Sequence, residues 1–362
     1  MGLEPLTGLI RMIRPFPVEE LRPRFSWLTC FEPEDHLDQL TDRLLGLPGI
    51  DKGSVFAGFS FKDDTTLRRI QERGCSKIWR LDPQIDLALP DPLANVESFQ
   101  ANFTKAQAEN IVRKRGAVDV FIARHVLEHA HNSQSFLAAC RTMVKPGGFV
   151  IIETPDCTKA LETFDYTMVW EEHNFYFTPQ TLRTTLSENG IAPIFEEIIP
   201  LPFENSLVMI CALQEHPTTK KISQIELEKL VTEAKNFANN FKKKKSEIQN
   251  CLKKLRTEKG PMVIWGAGHL SAGFLALMEV QDLFQGIIDQ NPNKINMRMP
   301  IGNLYIHNSD WLVQRPIRSC FLGANPQHHL KILSINNRFI EQGGTFYTIF
   351  GESHNKRIQK IF

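Results

Sequence analysis

From Ser54 onward, short apolar runs of strand length alternate with stretches of helical periodicity. The run SVFAGF is followed by DDTTLRRIQERG and KIWRLD, and the run VDVFIA is followed by NSQSFLAACRTMV and GFVIIETP. Such alternation favours a parallel sheet with helices on both faces. Pro179 and Gly190 bracket a further helix, and NSLVMICAL ends the pattern as a buried strand. The chain is therefore predicted to have an α/β fold.

The pattern divides the 362-residue chain into four segments, as expected for a chain too long for one average domain. Residues 1–49 form a proline-broken N-terminal extension, and residues 50–215 hold the first α/β domain. Residues 216–258 place apolar side chains at helical spacing and predict one long linking helix. Residues 259–362 open with PMVIWGAGHLSAGFLAL, a strand, a glycine turn and a helix, and predict a second, Rossmann-like α/β domain.

The composition argues against several functional classes. A formal net charge of +1 gives no electrostatic reason to bind nucleic acid or an anionic membrane. The sequence has no apolar run of membrane-spanning length, and its start lacks the apolar stretch of a secretion signal. The seven cysteines are scattered without a CxxC pair, which indicates reduced thiols rather than a zinc ribbon. We expect a cytoplasmic monomer or homodimer that acts on a small molecule.

Two strand ends in the first domain carry the residue types of a nucleotide site. Gly58, Phe59 and Ser60 follow the first strand, where the backbone of such folds meets a ligand. Asp82 ends the second strand, in the position of an acid that accepts hydrogen bonds from ribose hydroxyls. The turn has one glycine where such turns usually have two or three, so an ordinary strand end with a helix-capping acid is the alternative.

The segment ARHVLEHAHN places an arginine, a glutamate and three histidines directly after a predicted strand. With its surroundings, VDVFIARHVLEHAHNSQSFLAACRTMVKPGGFVIIETPD, it resembles the class I S-adenosylmethionine-dependent methyltransferases, in which a strand runs into HVLEH, a helix, KPGG and a strand. The resemblance implies S-adenosylmethionine as the cofactor, with Ala123 and His125 at the sheet edge that contacts it. The other ionisable side chains are expected to cap and satisfy buried backbone groups, and no metal site is predicted.

The segment FDYTMVWEEHNFYFTPQTLRTTLSENGI is similar to a region of the sugar C-methyltransferases that act on keto nucleotide sugars. Those enzymes carry a Phe-Asp, a Glu-His pair and a Tyr-Phe before a helix, matched here at 164–165, 172–173 and 176–177. The resemblance extends from about residue 50 to the end, and it implies methylation of a carbon beside a sugar ketone. Their Cys-rich zinc-binding opening has no counterpart here, where Cys30 stands alone in the extension.

Within that segment His173 suits the removal of a proton beside a carbonyl, because imidazole titrates near neutrality. Glu172 is predicted to orient the ring or to steady the enolate. Asn174 or Tyr176 is predicted to hydrogen-bond the sugar. The alternative is that His173 only caps the following helix.

Other positions complete the predicted acceptor site. Trp170 stands where the resembled enzymes have an aromatic hydroxyl, and Tyr166 is the predicted substitute as an acid or base. Their HGGS before the last strand of the domain reads FENS here, which places Asn205 with the substrate residues. In the second domain Gly266 and Gly268 precede a helix, and their backbone N–H groups are predicted to face the diphosphate of the substrate.

Asp289 lies about twenty residues beyond those glycines, where a dinucleotide fold has its ribose acid. The spacing GxGxxxxG departs from the GxGxxG fingerprint, so close packing of strand and helix is the alternative. The sequence thus predicts an S-adenosylmethionine-dependent C-methyltransferase of a nucleotide-linked keto-deoxysugar, with the acceptor bound between two domains. O- or N-methylation of another small polar acceptor and an inactive methyltransferase-like scaffold are the alternatives.

Overall fold

The computed structural model describes residues 1–28, 32–214, 222–350 and 359–360. The strands are, in chain order, β1 (Gly2–Leu3), β2 (Ile10–Arg11), β3 (Phe56–Gly58), β4 (Ile78–Arg80), β5 (Val118–Arg124), β6 (Val144–Asp156), β7 (Phe175–Tyr176), β8 (Ile191–Ile199), β9 (Asn205–Leu213), β10 (Met262–Trp265), β11 (Phe284–Ile288), β12 (Ile306–His307), β13 (Ser319–Leu322), β14 (Thr345–Thr348) and β15 (Gln359–Lys360). The α-helices are α1 (Val18–Leu21), α2 (Leu37–Leu45), α3 (Asp64–Glu72), α4 (Val96–Asn102), α5 (Lys105–Arg115), α6 (Ser133–Met143), α7 (Thr158–Thr163), α8 (Pro179–Glu188), α9 (Gln224–Lys259), α10 (His269–Met278), α11 (Trp311–Gln314), α12 (His329–Ser334) and α13 (Asn337–Glu341). Short 3-10 helices cover Phe61–Asp63, Leu127–His129, Tyr166–Met168, Gln281–Leu283 and Pro326–His328.

The chain divides into two compact units. The first combines Met1–Cys157 with Glu171–Val231, and the second combines Thr158–Trp170 with Thr232–Phe362. The sequence assigned residues 158–170 to the first domain, whereas these residues group with the second unit. The predicted linking helix appears as α9, which contributes residues to both units, while residues 216–221 lie outside the described part of the chain.

The main sheet of the first unit has the strand order β4-β3-β5-β6-β9-β8. Strands β4, β3, β5 and β6 run parallel, whereas β9 runs antiparallel to both β6 and β8. The expectation of a parallel sheet therefore fails at one strand: β9 runs opposite to the other five, whereas β8 has the same direction as β6. Only residues 200–204 separate β8 from β9, which is too short for the crossover that a parallel pair requires.

Side chains of the central strands alternate between two apolar cores, one on each face of this sheet. In β5, Phe121 and Ala123 belong to one cluster and Val120 and Ile122 to the other. Helix α6 covers the first face and α3 covers the second. This period of two explains why VDVFIA reads as a continuous apolar run: both of its faces are buried.

Parts of the predicted N-terminal extension also pack into the first unit. Strand β2 pairs with β7, the strand that follows His173, and β1 completes a small antiparallel sheet. Helix α2 contributes Leu37, Leu40 and Leu44 to the core on the α3 face. These residues therefore belong to the structure that supports the site described below.

The second unit contains a sheet of order β12-β11-β10-β13-β14-β15, parallel except for its last strand. Its strands surround an apolar core that includes Val263, Cys320 and Phe346. The predicted class, two Rossmann-like α/β domains connected through a long helix, is confirmed. Within the described residues, none of the helices combines the length and apolar character needed to cross a membrane.

Candidate active site

Strand β3 lies at a reversal of strand order, because β4 is its neighbour on one side and β5 on the other. Gly58 pairs with Arg80 of β4 and with Ile122 of β5, so the carboxyl ends of the three strands meet at one edge. In an open α/β sheet this reversal leaves a crevice outside the strand ends, and ligands bind there. The predicted cofactor residues therefore lie at an edge that can hold a ligand.

The turn after β3 is packed by its own side chains. A Cβ atom on Gly58 would lie 2.8 Å from the Asp63 Cβ, so glycine permits this close approach. Phe59 is fully buried among other phenylalanines of the core. The Ser60 hydroxyl accepts a hydrogen bond from a backbone N–H of the next turn, and the Ser60 N–H donates to Asp63 Oδ2. The side chains of Phe59 and Ser60 are thus engaged within the protein, and their contact with the cofactor stays a prediction.

Asp82 follows β4 at the same edge and is partly exposed. Its Oδ1 accepts hydrogen bonds from the N–H groups of Gln84 and Ile85, both at 2.8 Å. In the described part of the chain no hydrogen bond reaches Oδ2, and the Ile85 side chain beside it is 63% exposed. An open carboxylate oxygen next to an exposed apolar side chain fits the ribose hydroxyls and the base of a nucleoside. Asp82 therefore fits the predicted cofactor.

The residues at the end of β5 are held by a buried acid. Arg124 Nε donates to Glu153 Oε2 at 2.6 Å, and His125 Nε2 lies 3.1 Å from Glu153 Oε1. Burial by itself lowers the pKa of His125, but the carboxylates of Glu32 and Glu153 outweigh it and raise the pKa to about 10. Ala123 is fully buried in the strand. The His125 imidazolium is thus engaged by carboxylates, and cofactor contact by Ala123 and His125 stays a prediction.

A second group of ionisable side chains gathers around the 3-10 helix Leu127–His129. Glu128, His129 and His173 are buried, and one potential ligand atom of each lies within 4.8 Å of the other two. Glu97 and Glu172 place carboxylate oxygens within the same distance of one another and of His129. The sequence predicted only capping roles for Glu128 and His129, and it predicted no metal site. In the fold, carboxylates and imidazoles that could bind a metal ion lie close together.

His173 is a buried member of this group, and its pKa is lowered. Burial, and then electrostatic interaction with His129 and Lys62, hold the pKa of His173 well below 6.5. Its imidazole is therefore uncharged at pH 7 and a weaker base than a free histidine, so the expected titration near neutrality is not found. The cap of α8 is Thr178, whose hydroxyl accepts a hydrogen bond from the Thr181 N–H. Thr178, and not His173, is therefore the cap of this helix.

Three further predicted residues surround His173 in the sequence. The ring of Tyr176 is buried 6.2 Å from the His173 ring, and Glu172 is half-buried. The Asn174 N–H donates to the Glu128 carbonyl, and its Nδ2 donates to the His129 carbonyl. The Asn174 Oδ1 is buried and accepts no hydrogen bond within the described part of the chain. That oxygen is thus a buried acceptor without a hydrogen bond, and its contact with a substrate stays a prediction.

Two predicted residues belong to the second unit. The Tyr166 hydroxyl is buried and donates to the Phe237 carbonyl at 2.7 Å. Trp170 Nε1 donates to the Thr167 carbonyl, and the Trp170 ring stacks on His269 with centroids 5.1 Å apart. The Tyr166 hydroxyl is thus bonded to a backbone carbonyl of α9. The motif did not indicate this contact, and the role of Tyr166 as an acid or base stays a prediction.

The remaining predicted substrate residues lie in both units. In the first unit, Asn205 Oδ1 accepts a weak hydrogen bond from the Leu201 N–H at 3.4 Å. In the second unit, Gly266 has φ 106° and donates to the Ile288 carbonyl, and a Cβ on Gly268 would meet no atom within 4 Å. Asp289 accepts hydrogen bonds from Ala267 N–H and Asn291 N–H. Asp289 thus fastens the glycine turn, and space remains open at Gly268.

Sequence reasoning missed Glu97 and Glu153. Glu153 had a signal, since it is a charged residue inside the apolar run GFVIIETP, and only a paired charge is stable in such a strand. Glu97 had none, because it comes from α4 and meets His129 only in the folded chain.

Comparison with known families agrees with this architecture. Residues 58–194 match the family described as methyltransferase domain, and residues 209–350 match the family described as C-methyltransferase C-terminal domain. The sheet order, the crevice at β3 and the first match define a class I S-adenosylmethionine-dependent methyltransferase domain. The predicted enzyme class and the predicted cofactor are thereby confirmed. The second match adds that the C-terminal part is of the kind that accompanies C-methyltransferases.

Individual relatives are distant. The chain is 22% identical over 156 residues to the C-methyltransferase NovU of Streptomyces niveus, covering 43% of this chain and 37% of that protein. It is 30% identical over 128 residues to a ubiquinone biosynthesis O-methyltransferase of Maricaulis maris, covering 32% of this chain and 50% of the relative. A ubiquinone biosynthesis O-methyltransferase of Roseobacter denitrificans is 26% identical over 117 residues, which cover 28% of this chain and 47% of that relative. The chain therefore spans half or less of the length of these relatives.

Proposed function

We propose that this protein transfers a methyl group from S-adenosylmethionine to the carbon beside the ketone of a nucleotide-linked keto-deoxysugar. The observation that carries the proposal is the buried, neutral His173 in a methyltransferase domain whose C-terminal neighbour matches a C-methyltransferase model. Carbon methylation needs a base, because the acceptor C–H must lose its proton. The nucleotide sugar rests on the resemblance of residues 164–177 to enzymes that use such acceptors.

In this proposal each residue of the site has a separate role. Bound S-adenosylmethionine supplies an already activated methyl group, so the protein has to position the acceptor and remove one proton. His173 accepts the proton from the carbon beside the ketone, and Glu172 orients or balances the imidazolium that forms. Asn174 Oδ1 accepts a hydrogen bond from a sugar hydroxyl, and Asp82 Oδ2 accepts those of the cofactor ribose.

O-methylation is the second candidate, and the similarity to ubiquinone biosynthesis O-methyltransferases favours it. In that reaction His173 would deprotonate a hydroxyl, so the same residue serves either chemistry. Only carbon methylation requires an exchangeable C–H. The difference between the two candidates is therefore visible without any methyl donor.

The test uses the full chain in D2O with a keto nucleotide sugar and no S-adenosylmethionine. Deuterium uptake at the carbon beside the ketone, followed by methylation of that carbon when the donor is added, is the expected result by NMR and mass spectrometry. Methylation of an oxygen without carbon exchange would replace this proposal with the O-methyltransferase alternative. Absence of S-adenosylmethionine binding in calorimetry would leave the scaffold alternative.

A further inference from the structure

Glu128 is a buried acid without hydrogen-bond donors. Its side chain is 2% exposed, and neither carboxylate oxygen accepts a hydrogen bond within the described residues. The nearest ring nitrogens to Oε1 are His125 Nδ1 and His129 Nε2, each 3.7 Å away. A buried carboxylate normally has donors or a bound cation, because water no longer solvates it. The charged His125 ring thus approaches Glu128 only beyond hydrogen-bonding distance, and both carboxylate oxygens can still accept a cation.

The neighbours of Glu128 are residues that bind transition metals. One oxygen of Glu128 and one ring nitrogen each of His129 and His173 lie within 4.8 Å of one another. Two imidazoles and one carboxylate form a donor set that suits Zn²⁺ and other divalent first-row ions. Zinc ligands lie about 2.0–2.2 Å from the ion, so two of them are at most about 4.4 Å apart. Small side-chain movements must close the remaining gap when an ion binds.

Glu97 supplies the outer support that metal-binding histidines usually have. Its Oε1 lies 2.6 Å from His129 Nδ1, and the opposite nitrogen of that ring, Nε2, faces Glu128. A carboxylate on one side of an imidazole fixes the ring and leaves the other nitrogen free to bind the ion. The rings of His129 and His173 meet edge to face with centroids 4.9 Å apart. The second nitrogen of His129 is thus directed at the centre of the cluster.

We propose that Glu128, His129 and His173 bind one divalent transition-metal ion, with Glu97 as the positioning residue for His129. One consequence rests on the proposed function: the His173 nitrogen can hold the ion or the substrate proton, but not both. An ion at this site therefore competes with proton removal from the acceptor. Availability of the metal would then regulate carbon methylation.

The binding test uses full-length protein stripped with a chelator, without S-adenosylmethionine or acceptor. Zn²⁺ titration by calorimetry and Co²⁺ titration by visible absorption should give one ion per chain. Glu128→Gln should weaken Zn²⁺ binding at least about 100-fold, and Glu97→Gln about 10- to 100-fold. Glu109→Gln, at an exposed position of α5, is the matched control and should bind as the wild type does.

Equal Zn²⁺ affinity in the wild type and in Glu128→Gln would overturn the site. If Glu128→Gln does not fold, as judged by circular dichroism, His173→Gln replaces it with the same expectation. Because binding is measured without substrate, a failure of methyl transfer leaves this result unaffected. The competition is tested separately: one equivalent of Zn²⁺ should suppress deuterium exchange into the keto sugar, and unchanged exchange with the ion bound would refute it.

Discussion

Arg124 Nε lies 2.6 Å from Glu153 Oε2, and the two side chains are 1% and 0% exposed. Removing one partner of such a pair leaves the other charge buried and uncompensated. We expect Glu153→Gln to lower the free energy of unfolding by about 3–5 kcal/mol, measured by urea denaturation. The control is Glu196→Gln, which removes the partly exposed pair with Arg183 and should cost no more than about 1 kcal/mol. Similar losses in both variants would contradict this.

The same pair predicts a pH dependence. Burial by itself raises the pKa of Glu153, but Arg124 and His125 outweigh it and hold the pKa well below 4.5. The folded pKa is thus lower than the unfolded one, so the stabilisation is complete above pH 4.5 and is lost as the pH falls through the folded pKa. The difference in unfolding free energy between the wild type and Glu153→Gln should therefore be constant between about pH 4.5 and 6.5 and shrink below pH 4.5; at higher pH it should also shrink, because Glu153 helps to keep His125 protonated. A difference that grows in acid would be inconsistent with this charge state.

Asp82 offers a test of the cofactor site. Asp82→Asn keeps an oxygen for the N–H groups of Gln84 and Ile85 but turns the open acceptor into a donor. We expect S-adenosylmethionine binding to weaken by about 1–3 kcal/mol, measured by calorimetry. Asp282→Asn, at an exposed position of the second unit, should leave the affinity unchanged. If the two variants bind alike, the cofactor ribose lies elsewhere.

His173→Gln tests the base. The amide has a similar shape but cannot take up the proton, so kcat should fall by roughly 10²–10⁴-fold while the affinity for S-adenosylmethionine is kept. His328→Gln, at an exposed position of the second unit, is the control. Steady-state kinetics on metal-free protein make the measurement. If the His173→Gln enzyme kept most of its activity, another residue would be the base.

Gly58→Ala tests the tight turn after β3. The added methyl group would lie 2.8 Å from Asp63 Cβ and 3.0 Å from Leu67 Cδ1, and the first of these atoms cannot swing away. The substitution should cost about 1–3 kcal/mol of unfolding free energy in urea denaturation. At Gly46 the nearest atoms are 3.5 Å from an added Cβ, so Gly46→Ala should be tolerated. Equal stability of the two variants would show that the turn relaxes.

The sequence predicted the elements of the first unit well where local signals were strong. The apolar run around Val120 is β5, the predicted helix NSQSFLAACRTMV is α6, and Pro179 lies in the first turn of α8. It did not predict β8, because exposed and half-buried residues alternate irregularly along that edge strand. Periodicity reports on burial, and an edge strand is only partly buried.

The candidate site was less accessible to sequence reasoning. The position of Asp82 at a strand end follows from chain order within a parallel sheet, whereas His173 was assigned through its motif alone. The contacts of His129 with Glu97, and of Tyr166 with the Phe237 carbonyl, join residues that are remote in sequence. No local pattern specifies which side chain meets a histidine or a hydroxyl across such a distance.

Residues 158–170 belong to the second unit, although residues 171–231 return to the first. A ribosome makes the chain from its N-terminus, so this segment emerges before every other part of its unit. At about 5–20 residues per second, roughly 3–12 seconds pass before Thr232 follows. Leu161, Tyr166 and Met168, all buried in the finished protein, lack their packing partners during that interval. The nascent chain therefore presents an apolar segment that chaperones can hold until translation reaches α9 and α10, the helices that pack against it.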